Sequence, residues 1–151
     1  MYSKEQASAI RQEFWTALGK YLSPIPGAAG NKINWINYKT GVQGIHFKMD
    51  ADNKKATACI VINCGSAELR NRYYDIFLTL KDELEKGNSW NWLRQTYDAG
   101  GREIACIGRE LAAVNIFQKE HWPGLISFFK DHALQLDEFW HCYKEVFEMN
   151  S

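Results

Sequence analysis

Two carboxylates and a lysine on adjacent strands can hold a divalent cation and activate water against a phosphodiester, so such trios are the first chemistry to seek. Lys48 and Asp50 stand two apart in the segment His46-Phe47-Lys48-Met49-Asp50, a spacing that puts both on one strand face. Glu13, reaching in from the first amphipathic segment, is the second carboxylate candidate. The pattern departs from that of restriction-endonuclease-like cores, where the second strand opens on an acid and the third carries Asp or Glu, one spacer and Lys. Here the second segment starts near Val42-Gln43-Gly44 and reaches Asp50 only at its end. The third, Ala56 to Ile62, has no charged residue. The element order, helix, three-strand meander, helix, strand, is that of such cores while the active-site pattern is not, so a fold of that type would be catalytically empty, with a divergent metal-dependent nuclease as the alternative reading.

Other chemistries leave weaker traces. Gly27 and Gly30 lead into a predicted strand and Gly100-Gly101 into a hairpin, whereas a phosphate cradle feeds a helix N-terminus. Cys59 and Cys64 have no second pair at zinc spacing. Glu138 and His141 share a helix face, but a di-iron site needs that pair twice with two further glutamates. No metal site and no cofactor is expected. No Gly-x-Ser-x-Gly elbow is present. The four histidines, His46, His121, His132 and His141, have no spacing that singles out a base.

Binding surfaces are the remaining class. Trp90, Trp92 and Arg94 alternate along a predicted strand, and such a face could stack bases or sugars and pair a phosphate. The bland reading, favoured here, puts at least one tryptophan in the core, since tryptophan is highly buried on average. Lys39, His46 and Lys48 could extend a polar sheet face, which a solvated strand also provides.

The elements that must position these residues read as follows. Ser3 and Gln6 form a capping box ahead of a helix over about 4–22, with the stripe Ala7, Ile10, Phe14, Leu18 and Tyr21. Pro24 and Pro26 end it. Residues 33–38, 45–50 and 56–63 read as three strands of an antiparallel meander, the last apolar enough to be central. Ser66 caps a second helix that buries Leu69, Tyr73, Ile76, Phe77, Leu80 and Leu84, ending at Gly87. Residues 90–97 and 102–108 form a hairpin around Asp98-Ala99-Gly100-Gly101, and 112–117 a short further strand. Pro123 opens a long last helix with the stripe Leu125, Phe129, Ala133, Leu136, Trp140, Tyr143 and Phe147. The expected fold is α+β: a five- or six-stranded antiparallel or mixed sheet with three main helices, in the order α-β-β-β-α-β-β-(β)-α.

Composition sets the frame. The 151 residues suit one domain, 1–151, and 46% hydrophobic content opposes disorder. Eighteen basic residues balance eighteen acidic ones, so no global field draws nucleic acid or an anionic membrane. No stretch approaches the roughly 20 apolar residues of a membrane helix. The polar N-terminus and the four scattered cysteines, Cys59, Cys64, Cys106 and Cys142, point to the cytoplasm and not to a disulfide framework.

Several segments carry a family resemblance: Phe14-Trp15-Thr16, Lys32-Ile33-Asn34-Trp35-Ile36-Asn37-Tyr38-Lys39-Thr40-Gly41, Phe47-Lys48-Met49-Asp50-Ala51-Asp52-Asn53, Trp122-Pro123-Gly124-Leu125-Ile126-Ser127-Phe128-Phe129-Lys130 and Leu136-Asp137-Glu138-Phe139-Trp140. Together they resemble domain of unknown function family 4268, frequent in Bacteroides-like bacteria. The resemblance implies a bacterial source and no catalytic residue. Longer relatives that place such a domain after a nuclease-like region imply an accessory role near DNA processing. The expectation is a non-catalytic binding or interaction module. Its candidate partners are a protein, a second copy of the chain, or nucleic acid, and no membrane.

Overall fold

Ser3 begins the first helix through the capping box its sequence announces. In the computed structural model, which describes residues 2–151, Gln6 N donates to Ser3 Oγ at 3.1 Å and Ser3 N to Gln6 Oε1 at 2.8 Å. Helix α1 spans Lys4–Leu22 and buries Phe14, Leu18 and Leu22. Strands β1 (Ile45–Ala51) and β2 (Lys55–Ile62) form a hairpin. Helices α2 (Ala67–Thr79) and α3 (Lys81–Glu85) follow, then β3 (Asn91–Tyr97) and β4 (Glu103–Ala112). A 3-10 turn at Lys119–His121 leads into α4, Trp122–Glu148, with Pro123 in its first turn.

The fold is α+β, with a four-stranded sheet in the order β1-β2-β4-β3, antiparallel throughout. That is fewer strands than the five or six expected. Residues 33–38 do not form a strand. Trp35 turns inward and donates Nε1–H to the Ile25 carbonyl at 3.0 Å, and Asn34 Oδ1 takes the Asn37 N–H at 3.1 Å in a local turn. The β-forming residue types there reflect side chains that pack, which an irregular loop satisfies as well as a ladder does. Residues 112–117 make no further strand either. Ala113 adopts φ +60°, and beyond it Val114 N and Ile116 N donate to Lys54 and Asp52 carbonyls at the β1–β2 turn. The second helix is two helices, α2 and α3, broken at Leu80, so the structure has four α-helices where three were expected.

Helices cover one face of the sheet. Ala56, Ala58, Ile60 and Ile62 of β2 are fully buried there. Ile60 and Ile62 join Tyr73 and Phe77 of α2 and Trp140 and Phe147 of α4, while Ala56 and Ala58 join Phe14 and Leu18 of α1 and Phe129 of α4. The other face carries His46, Lys48 and Asp50 on β1, exposed, with Thr57 and Cys59 half-buried on β2. Strand alternation alone produces this split once one face is buried.

Candidate functional site

Residues 23–44 run from α1 to β1 without helix or strand. Irregular connections of that length are uncommon in compact folds and usually functional. Three aromatic side chains fasten this one. Trp35 holds it to its own start through the Ile25 carbonyl. Trp140 of α4 donates Nε1–H to the Thr40 carbonyl at 2.7 Å, and Thr40 Oγ1 donates to the Ile45 carbonyl at 2.8 Å. Tyr38 donates its hydroxyl to Asp137 Oδ1 on α4, and Asp137 Oδ2 accepts the Ala28 N–H at 2.8 Å. Burial, then this contact with the Asp137 carboxylate, raises the Tyr38 phenol far above its usual range, so it stays protonated as donor.

Between this loop and α4 lies an open groove of about 410 Å³. Lys32 and Lys39 of the loop and His141 and Lys144 of α4 line it, with the amides of Asn31, Asn34 and Asn37. Among the described residues, none of the three lysines is in an ion pair; the six pairs present engage Lys55, Arg70, Arg72, Lys86, Arg94 and Lys119. Asp137 is the one carboxylate in the lining, and both its oxygens are already taken. The groove therefore presents ammonium groups and amides to solvent, the chemistry that receives a phosphate or carboxylate. Gly41, next to Thr40, leaves room for Lys144: a Cβ there would stand 2.5 Å from Lys144 Nζ, and its φ is +77°.

The other candidate residues lie elsewhere. Lys48 and Asp50 are on the helix-free sheet face, while Glu13 is on α1, on the opposite side, bound to Lys119 Nζ at 2.9 Å. The structure does not bring the three together. Among the described residues, no three His, Cys, Asp or Glu side chains cluster as a metal site. Glu138 turns to Lys86 and not to His141. His46 lines a second, wider groove of about 1070 Å³ near Gly44 and Arg102.

Trp90, Trp92 and Arg94 do not form an open face. Trp90 is 5% exposed, against the His132 ring at 5.0 Å and the Arg109 guanidinium at 5.5 Å. Trp92 is half-buried and packs edge-on to Tyr74. The buried Glu85 carboxylate holds both, accepting Trp90 N–H at 3.0 Å and Trp92 Nε1–H at 2.8 Å. Arg94 lies over the Tyr74 ring at 4.4 Å and pairs with Asp75 at 2.7 Å. Leu93 and Tyr97 are the exposed large hydrophobic residues of this strand.

Lys39 is thus the one residue of the sequence-based binding set that falls in the basic groove. Lys32, His141 and Lys144 were not in that set. Asp137, His141 and Lys144 stand at spacings of four and three, a polar stripe beside the apolar one on α4, and that was the available signal.

A family model described as Domain of unknown function (DUF4268) covers residues 10–144. The chain belongs to the DUF4268 family. The matched span includes the fastened loop and, at its last residue, Lys144. No curated protein and no solved structure gives a significant match. No helix is long and apolar enough to cross a membrane among the described residues.

Proposed function

We propose that this DUF4268 domain is a non-catalytic binding module that holds the phosphate backbone of a nucleic acid strand in the groove beside α4, in an accessory role to DNA processing. The observation that carries this reading is the set of three lysines, Lys32, Lys39 and Lys144, facing one groove with no carboxylate partner. Zero net charge makes the feature informative, because a local basic groove then stands out from a neutral whole. The separation of Glu13 from Lys48 and Asp50 supports binding over cleavage. Four unpaired cysteines support a reducing, cytoplasmic setting.

Fluorescence anisotropy with a labelled single-stranded oligonucleotide tests the proposal. Binding should weaken with salt, with a log–log slope of about −2 for three phosphate contacts on a single strand. The combined Lys32→Ala, Lys39→Ala and Lys144→Ala variant should bind at least about tenfold more weakly. No binding at low salt, or equal binding by the triple variant, removes the proposal. Cleavage of the strand with magnesium or manganese would replace it with the nuclease reading.

A further inference from the structure

Strand β1 is an edge of the sheet, and its outer side is closed at both ends. Asn63 N donates to the Gly44 carbonyl at 2.9 Å, one step before the register pair Ile45 and Ile62. Antiparallel bonding alternates along a strand, so His46, Lys48 and Asp50 bond to β2 while Ile45, Phe47, Met49 and Ala51 turn their N–H and C=O groups outward. The first and last of these are satisfied within the chain. Ile45 N donates to the Val42 carbonyl at 3.2 Å, and the Ile45 carbonyl accepts the Thr40 hydroxyl at 2.8 Å. Ala51 N donates to Asp50 Oδ1 at 2.9 Å, and Arg11 Nη1 donates to the Ala51 carbonyl at 3.1 Å. The outward groups of Phe47 and Met49 have no backbone partner among the described residues. Both side chains lie on the helix face, half-buried. They border a pocket of about 20 Å³ with Trp35 and Tyr38 of the loop and Ala133 and Leu136 of α4. That is room for a group about the size of a water or a methyl.

Lys48 decides what can pair there. Its side chain is exposed on the helix-free face and is in no ion pair among the described residues. A second copy of β1, laid antiparallel so that Phe47 and Met49 bond to each other across the seam, sets the two Lys48 side chains directly opposite. Like charges in that position destabilise a strand pair, so the lysine deters self-pairing. An acidic residue opposite Lys48 turns the repulsion into attraction. Asp50, two residues along the same face, favours a basic residue opposite itself. We propose that the open middle of β1 takes an extended peptide of another protein as a fifth, antiparallel strand, with the pattern basic, small apolar, acidic, small apolar. The two apolar residues exchange backbone hydrogen bonds with Met49 and Phe47 and turn their side chains toward the pocket. The acidic residue meets Lys48 and the basic one Asp50. The site is separate from the groove of Lys32, Lys39 and Lys144, although Tyr38 stands in the wall of both.

The test titrates isotope-labelled full-length protein with the peptide acetyl-Lys-Val-Glu-Val-Thr-amide and follows the backbone amides by NMR. The Phe47 and Met49 amides should shift saturably, and their hydrogen exchange should slow in the complex. The same peptide N-methylated at both valines keeps every side chain but loses the N–H groups that face β1, and it should not bind. A peptide with Lys in place of Glu should bind the natural chain about fivefold more weakly and recover that loss on Lys48→Glu. The proposal is overturned if the N-methylated peptide binds as well as the parent. It is overturned equally if the shifts saturate in the basic groove instead, or if the Phe47 and Met49 amides do not respond at millimolar peptide. The N-methyl comparison is made on the unsubstituted protein, so a Lys48→Glu variant that fails to fold does not decide the outcome.

Discussion

Tyr38, in the loop that precedes the sheet, donates its hydroxyl to Asp137 in the middle of α4. The other oxygen of that carboxylate holds Ala28, nearer the start of the same loop. One buried side chain on α4 thereby fixes two points of a segment that has no ladder of its own, and it does so on the wall of the basic groove.

Removing the phenol should loosen that segment. Tyr38→Phe leaves an Asp137 oxygen buried without a donor, which costs about 1–3 kcal/mol. Asp137→Asn keeps an acceptor for Ala28 and should cost less, about 1 kcal/mol. Urea unfolding of both variants measures this; an unchanged midpoint for Tyr38→Phe would show that the contact does not anchor the loop.

Gly41→Ala meets two obstacles at once. A non-glycine residue at φ +77° is strained by about 1–2 kcal/mol. Its methyl group also enters the space of Lys144 Nζ. Stability should fall by about that amount, and oligonucleotide binding should weaken because Lys144 is displaced. A variant with lowered stability and unchanged affinity would place Lys144 outside the binding contacts.

Glu85 organises the β3 tryptophans. Glu85→Ala strands the Trp90 N–H and the Trp92 indole N–H and should cost about 2–3 kcal/mol. Glu85→Gln retains an acceptor and should cost about 1 kcal/mol. Thermal melts followed by tryptophan fluorescence read both. Equal loss from the two substitutions would mean that charge, and not hydrogen bonding, is what these donors require.

His132 sets a pH dependence. The ring is 2% exposed and stacks on Trp90, its Nδ1 accepts from Arg109 Nε at 3.4 Å, and its Nε2 has no partner among the described residues. Burial, and then the Arg109 charge, lower its pKa from 6.5 to about 3. Below pH 6.5 the unfolded chain takes up a proton that the folded chain refuses. Stability is therefore complete above pH 6.5 and is lost as the pH falls toward 3, by up to about 1.4 kcal/mol per pH unit. Urea midpoints at pH 7 and pH 5 should drop more for the natural chain than for His132→Phe, by about 1–2 kcal/mol. Parallel profiles would mean that His132 accepts its proton in the folded state.

What the sequence determined by itself is local. Ser3 and Gln6 write the start of α1 because a capping box closes within three residues. Phe14 and Leu18 on α1, Tyr73 and Phe77 on α2, and Phe129, Leu136, Trp140 and Phe147 on α4 were legible as buried stripes, because helical periodicity depends on near neighbours alone. The Asp98–Gly101 hairpin is of the same kind: Asp98 Oδ1 takes the N–H groups of Gly100 and Arg102, both at 2.9 Å. Only the tertiary structure decided the rest. Residues 33–38 became part of a fastened loop because Asp137, far along the chain, takes the Tyr38 hydroxyl, and Trp140 holds Thr40 just beyond them. Leu80 breaks the second helix although its apolar spacing fits the stripe. Trp90 and Trp92 went inward because Glu85 offered a buried acceptor. Lys39 met Lys32 and Lys144 because loop docking is a long-range choice that no residue spacing encodes.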